Sequence, residues 1–185
     1  MSNKVFLKIS VKLVALLAGL MFLQSCSGSR FLRNNFKQYL TNERFSSEDN
    51  SFSVNVPFGW FGSKDNSKNI VDLMLVKEDY SASVFINRLE AKQTKADLQK
   101  IRDMAISFRK VNNRGALKNL ETFDGFFEKE PYYGFSYEDS GKNFVTVYDI
   151  KKNNNIFEAT LINFDKKNRN QNLLNSFIGV IFSLD

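Results

Sequence analysis

The 185-residue sequence contains no histidine, one cysteine and two prolines. Without histidine, a Ser-His-Asp triad and most transition-metal sites are excluded, because imidazole is the usual base or ligand there. A single cysteine excludes an internal disulfide. No G-x-S-x-G or S-x-x-K motif occurs around any serine. We therefore expect no catalytic residue, no metal and no other cofactor.

The excess of positive over negative charge is also small once the start of the chain is set aside. The formal net charge is +6, but residues 1–25 hold three lysines and no acid, which leaves 23 basic and 20 acidic residues. Nucleic-acid-binding domains usually carry a stronger basic surface. The sequence therefore predicts no nucleic-acid partner.

Residues 1–25 have the parts of an export signal. The basic start contains Lys4, Lys8 and Lys12, and residues 13–23 form an uncharged apolar run of eleven. A helix of this length spans about 16 Å, well short of the ~30 Å hydrocarbon core of a bilayer. The pattern therefore predicts a secretory signal peptide and not a membrane-spanning helix.

The signal ends in Leu23-Gln24-Ser25-Cys26, which resembles the lipobox of bacterial lipoproteins. The resemblance implies cleavage between Ser25 and Cys26, with diacylglycerol on the Cys26 thiol and acylation of the new amine. Membrane lipid is then a partner, since each buried CH₂ contributes roughly 0.8 kcal/mol. Ser27, in place of an inner-membrane retention aspartate, favours an outer-membrane lipoprotein facing the periplasm. The alternative is an ordinary secretion signal that ends near a cysteine.

The segment 26–50 is expected to be the tether between the anchor and the folded domain. On a helical wheel, residues 30–45 separate apolar from basic side chains. The apolar half holds Phe31, Leu32, Phe36, Tyr39 and Leu40. Such a segment could form an amphipathic helix on the bilayer surface, a helix packed on the domain, or a loose tether. Residues 46–50 are expected to be the hinge into the domain.

Residues 51–185 are expected to form one domain, with alternating apolar residues that predict strands. The predicted strands are 52–56, 70–76, 80–89, 117–123, 126–130, 132–138, 143–151 and 156–164. The expected turns include Asp124-Gly125, residues 139–142 and residues 153–155. Turns this short predict antiparallel pairing, because a parallel crossover needs a dozen or more residues.

Two amphipathic helices are predicted, at 95–111 and 170–183, with Thr94 and Asp97 resembling a capping box for the first. The apolar stripe of the first helix comprises Leu98, Ile101, Ala105, Phe108 and Val111. That of the second comprises Leu173, Leu174, Phe177, Ile178 and Ile181. Strands and helices in this order predict an α+β fold with helices on an antiparallel sheet.

The opening from Phe52 to Trp60, with Pro57 three residues before the tryptophan, resembles that of PsbP- and DcrB-like domains. The closing helix with Leu-Leu-Asn-Ser-Phe at 173–177 strengthens the resemblance. It implies an antiparallel sheet of about six strands flanked by helices. Members of this group have different functions, so the resemblance hardly narrows the function.

Aromatic residues are the remaining functional signal, with Trp60, Tyr132 and Tyr133 as the candidate interaction residues. Aromatic rings with a polar tip are common at interfaces and ligand pockets, although the same rings could fill the core between sheet and helix. Carboxylate pairs such as Glu138 with Asp139 are typical of a solvated surface, which disfavours a carboxylate-based hydrolase.

Three functions remain open, and the first is preferred. The chain is expected to be a non-catalytic envelope lipoprotein that docks onto an envelope protein or cell-wall material. The second hypothesis is a carrier of a lipid or another small hydrophobic ligand. The third is the hydrolase, which the lack of a catalytic motif disfavours.

Overall fold

The computed structural model describes residues 36–63, 71–89, 97–113, 117–127, 129–165 and 170–185. In chain order the strands are β1 Leu40–Ser46, β2 Ser53–Pro57, β3 Trp60–Ser63, β4 Leu73–Lys77 and β5 Ala82–Leu89. Helix α1, Leu98–Asn112, is followed by β6 Lys118–Phe127, β7 Glu130–Glu138, β8 Phe144–Lys152, β9 Asn155–Asn163 and helix α2, Gln171–Ser183.

Strands β3 to β9 form one seven-stranded sheet in the order β3-β4-β5-β9-β8-β7-β6, and every neighbouring pair is antiparallel. Strands β1 and β2 pair separately as a two-stranded hairpin. The predicted α+β class is confirmed, with one strand more in the main sheet than expected. Among the described residues, neither helix is long and apolar enough to cross a membrane.

The two faces of the sheet carry different layers. Helix α2 and the β1–β2 hairpin enclose the larger core, which contains Val54, Trp60, Tyr148 and Phe177. Helix α1 covers part of the opposite face, against β7 and β8, over a smaller cluster centred on Phe135. Because strand side chains alternate, β7 and β8 contribute residues to both layers.

Helix α1 starts later than predicted, with Asp97 as its N-cap: the Asp97 carboxylate accepts a hydrogen bond from the Gln99 backbone N–H. Thr94, the other half of the predicted capping box, lies outside the described residues. Helix α2 matches its prediction, and Leu173, Phe177 and Ile181 of its predicted stripe are buried.

The predicted turn at Asp124-Gly125 is wrong, because both residues lie within β6. Gly125 pairs with Tyr132 of β7, and a Cβ at Gly125 would lie 2.7 Å from the Tyr132 hydroxyl oxygen. The glycine therefore marks the close approach of an aromatic side chain within a strand and not a chain reversal. By contrast, the turn predicted at 153–155 is confirmed: Asn153 and Asn154 have φ of 51° and 63°, as a tight hairpin requires.

The proposed helix over residues 30–45 is wrong for its C-terminal part, since β1 begins at Leu40. Phe45 pairs with Val54, and Ser46 pairs with Ser53, so this segment belongs to the folded domain. The expected hinge at 46–50 is the hairpin connection, with Ser47 buried. The backbone hydrogen bonds between β1 and β2 stabilise a strand here, although the side-chain pattern favours a helix. These hydrogen bonds form only when the two strands pair, so the local sequence does not reveal them. Residues 30–35 lie outside the described part of the chain.

Candidate functional site

The predicted processing residues, Ser25 and Cys26, lie outside the described residues, so lipidation and cleavage stay predictions. The three candidate interaction aromatics are described, and the structure does not bring them together. Trp60 is 6% exposed and belongs to the larger core. Tyr132 and Tyr133 are neighbours on β7 and therefore point to opposite faces of the sheet.

Tyr132 packs inside an aromatic group under α2. Its ring stacks on Phe127 with centroids 4.3 Å apart and meets the Tyr148 ring edge-on at 5.3 Å. Tyr133 lies under α1, with the Arg102 guanidinium 5.5 Å from its ring centroid. Trp60 is therefore a core residue and Tyr132 is half-buried among other aromatic rings, whereas Tyr133 belongs to a charged group that the sequence did not reveal.

That charged group lies between α1 and the sheet. Both terminal nitrogens of Arg109 donate to Glu158 of β9, at 2.7 and 3.2 Å, and both side chains are about one-sixth exposed. The same guanidinium lies over the Phe135 ring, 5.3 Å from its centroid. A bidentate pair of this kind fixes the rotation of the helix on the sheet.

Asp149 of β8 is the most deeply buried member of this group. It is fully buried, and neither of its carboxylate oxygens has a hydrogen-bond partner in the described part of the chain. Burial, followed by repulsion from Glu158, raises the pKa of Asp149 to about 8, although Arg109 and Arg102 act in the opposite direction. The side chain is therefore mostly protonated at pH 7, which removes the cost of burying a charge.

Two arginines of α1 face the sheet, and apolar residues on the other side of the helix face solvent. Arg102 and Arg109 lie on the sheet side of α1, whereas Met104, Phe108 and Val111 are 66–77% exposed. These three residues, spaced i, i+4 and i+7, are called here the α1 outer face. Two of them, Phe108 and Val111, were predicted to be buried. That prediction is wrong because Glu158 of the sheet beneath α1 binds Arg109, which holds the arginine side of the helix against the sheet.

A cavity of about 350 Å³ opens on the other face of the sheet, beside the start of α2. Its apolar walls are Phe123, Phe144, Tyr148, Leu161, Leu173 and Leu174, and its polar walls are Glu121, Ser136, Thr146, Asn163, Asn170 and Gln171. Burial raises the pKa of the Tyr148 hydroxyl well above its usual range, so this wall is neutral. The chemistry suits a small, mostly apolar ligand with a few polar atoms.

In the segments that the structure describes, no group of three or more Asp, Glu, His or Cys residues could hold a metal ion. Asp139, one of the carboxylates considered for hydrolysis, accepts hydrogen bonds from the Asn143 backbone N–H and side-chain amide within its own turn.

The fold and these two regions define an α+β domain with a charged, helix-covered face and an aromatic, helix-covered face. A scan of protein-family models returns no match for this sequence, and neither does a search of curated proteins. Comparison with solved structures does return matches.

A PsbP protein of Synechocystis sp. PCC 6803, CyanoP, is 21% identical, with a TM-score of 0.47, over 77% of this chain and 91% of CyanoP. The Ran-binding protein Mog1p of Saccharomyces cerevisiae is 9% identical, with a TM-score of 0.53, over 79% of this chain and 95% of Mog1p. A Bacteroides thetaiotaomicron protein is 15% identical, with a TM-score of 0.46, and the match spans about half of it, 47%. At these identities the similarity concerns the fold alone.

Proposed function

We propose that this chain is a non-catalytic lipoprotein of the bacterial envelope, anchored through acylated Cys26 in the outer membrane and facing the periplasm. Its folded domain binds a protein partner through the α1 outer face. The lipobox at 23–26 supports the anchor, and the outward apolar face of α1 supports the interaction.

The observation that carries the interaction is the apolar strip that α1 exposes to solvent. A helix on a soluble domain normally turns its apolar side inward and its charges outward. Helix α1 does bury Leu98 and Ile106, but it also directs Arg102 and Arg109 inward. On its other side, the α1 outer face exposes three large apolar side chains in a row. Contiguous exposed apolar surface of this kind marks interaction sites. Lys100, Asp103 and Lys110 are exposed on the same helix, so a partner with charges of both signs around an apolar centre would fit.

Photo-crosslinking in the producing bacterium tests this proposal. With Phe108 replaced by benzoylphenylalanine, which is close in shape, ultraviolet light is expected to give one discrete crosslinked product. Phe58 is the matched control, because it is 65% exposed against 66% for Phe108 and lies away from α1. The same amino acid at position 58 should not give that product. The same protein product from both positions, or none from position 108, would contradict the proposal.

The anchor is tested in the same cells. Cys26→Ser should abolish labelling by radioactive palmitate, because the sequence contains no other thiol. It should also reduce the position-108 crosslink, since the protein is then no longer held at the membrane. Equal labelling of the Cys26→Ser variant and the parent would rule out the anchor.

The cavity beside α2 supports a second candidate function, binding of a lipid or another small hydrophobic ligand. Thr146 of β8 lines this cavity, so Thr146→Phe should fill much of it and weaken binding of a fluorescent fatty acid at least tenfold. Thr160→Phe is the control, because Thr160 lies on β9 and faces the opposite side of the sheet. Fluorescence titration of the three proteins measures this effect. Equal affinities in all three, or no binding by the parent, would exclude the ligand-binding function.

A further inference from the structure

Four of the six large aromatic side chains that are exposed in the described part of the chain lie at one end of the main sheet, on β3 and on the connections between strands. They are Phe58, Phe61, Tyr80 and Phe164, which together are called the aromatic loop patch. Phe58 lies in the β2–β3 turn and Tyr80 in the β4–β5 turn, and Phe164 follows β9. The rings of Phe61 and Tyr80 meet edge-on, with centroids 6.2 Å apart.

The backbone holds these connections together. The Glu78 backbone N–H donates to the Gly59 carbonyl at 2.9 Å, which ties the β4–β5 turn to the β2–β3 turn. The Phe164 backbone N–H donates to the Ser81 carbonyl at 2.8 Å, which ties the end of β9 to the same turn. Gly59 has a φ of 73° and Tyr80 a φ of 58°, the second being a conformation that a tyrosine rarely adopts. The backbone conformation of the two turns therefore determines that Phe58 and Tyr80 are exposed.

The patch is close in the chain to the anchor. The Phe58 backbone N–H donates to the Tyr39 carbonyl at 3.0 Å, and the described chain begins at Phe36, three residues earlier. Only ten residues, 26–35, separate that point from the acylation site, and they can span at most about 35 Å. The anchor therefore keeps the domain within reach of the bilayer surface at all times.

The charges beside the patch indicate how it would meet a lipid surface. Glu78 and Asp79 belong to the β4–β5 turn, and the Lys77 ammonium is paired with Asp79. Asp165 follows Phe164 and is exposed. Among the described residues beside the patch, acidic groups outnumber basic ones, so these residues offer affinity for a lipid surface through aromatic insertion and not through attraction to anionic lipid. Aromatic side chains are enriched at the depth of the headgroups, where a ring can be buried beside polar groups.

We propose that the aromatic loop patch inserts into the headgroup region of the bilayer that carries the anchor, and so fixes the orientation of the domain on the membrane. This inference rests on the proposed function for the anchor. It leaves the α1 outer face, on a separate surface, free for the protein partner.

Tryptophan fluorescence on vesicles tests the proposal. The chain from Cys26 onward is coupled through its single thiol to phosphatidylcholine vesicles that carry a maleimide lipid. Removal of residues 1–25 leaves every described contact in place, because the described residues begin at Phe36. In the Phe58→Trp variant, coupling should shift the emission to shorter wavelength, and brominated phosphatidylcholine should quench it. The shift should persist at high salt, since it does not depend on charge.

Phe108→Trp is the matched control, and its emission should not change on coupling. Tyr80→Trp should behave like Phe58→Trp, which keeps the test valid if one variant misfolds. The buried Trp60 contributes a background that the parent protein measures. An unshifted signal at positions 58 and 80, or an equal shift at position 108, would overturn the proposal. Because the protein is coupled chemically, this result does not depend on natural acylation. Failure of palmitate labelling would therefore contradict the anchor, and failure of the emission shift would contradict insertion of the patch.

Discussion

Replacing Asp149 by asparagine is expected to remove most of the pH dependence of stability between about pH 4 and pH 8. In the folded protein, burial beside Glu158 raises the pKa of Asp149 from 3.8 to about 8. Between these two values the carboxyl is protonated when folded and ionised when unfolded. The unfolded state therefore binds fewer protons, and the free energy of unfolding falls as pH rises.

The size of this effect follows from linkage. The free energy of unfolding of the parent should fall by up to about 1.4 kcal/mol per pH unit in this window, and level off above pH 8. Asparagine does not titrate, so any cost of burying its amide is the same at every pH. The Asp149→Asn variant should therefore gain on the parent steadily as pH rises. The comparison is the slope, and not the stability at one pH.

The surrounding charges decide the outcome. Arg102 and Arg109 of α1 favour the ionised form, whereas Glu158 and full burial favour the neutral one. Hydrogen bonds lower the pKa of two other carboxylates, Asp49 and Asp79. The largest contribution comes from the hydrogen bond with Ser51 for Asp49 and from that with Lys77 for Asp79. The stability that these lowered pKa values contribute is lost only as pH falls below about 4, outside this window.

Urea unfolding at a series of pH values, followed by Trp60 fluorescence, measures the slope. Asp124→Asn is the control, since Asp124 is an exposed carboxylate on β6, and its profile should follow that of the parent. Parallel profiles for the parent and Asp149→Asn would mean that the two arginines keep Asp149 ionised in the folded state.

Phe177→Ala should lower the free energy of unfolding by about 3–5 kcal/mol. Phe177 of α2 is fully buried in the larger core, and its ring meets the Tyr148 ring edge-on, with centroids 5.6 Å apart. Truncation removes the ring from the centre of the α2–sheet interface, where a rigid sheet cannot collapse to fill the space. Circular dichroism during urea unfolding gives the difference.

The control for this core substitution is Phe108→Ala on the α1 outer face. Because Phe108 is largely exposed, its truncation should change the free energy of unfolding by no more than about 0.5 kcal/mol. A loss of several kcal/mol there would mean that Phe108 packs against the domain, which would also remove the basis for the proposed interaction surface.

The two helices show where sequence reasoning succeeds and where it fails. Most of the buried side chains of α2 are apolar, so its periodicity identified Leu173, Phe177 and Ile181 correctly. In α1 the same reasoning assigned Phe108 to the buried face, because an arginine is expected to face solvent. The carboxylate that binds Arg109 lies 49 residues further along the chain, and nothing near the helix indicates it.

Strand pairing was harder to predict for the same reason. Strand β1 has mostly half-buried or exposed residues and a sequence that also fits a helix, and pairing with β2 makes it a strand. The sequence predicts a turn at Gly125, but this glycine lies within β6, where the lack of a side chain leaves room for Tyr132 to pack across the strand. Asp149 lies on the same face of β8 as Val145 and Val147, because side chains alternate along a strand. This alternation could have identified Asp149 from the sequence as a buried carboxylate.

The sequence by itself determined the α+β class, the antiparallel hairpins and the stripe of α2, since each depends on neighbours only a few residues apart. The tertiary structure alone decided the rotation of α1, the burial of Asp149 and the position of the exposed aromatic residues. These depend on contacts between residues far apart in the chain, where an arginine meets a carboxylate or three turns meet at one end of a sheet. Such contacts decide whether a side chain is buried or exposed, and the residues next to it in the sequence do not indicate them.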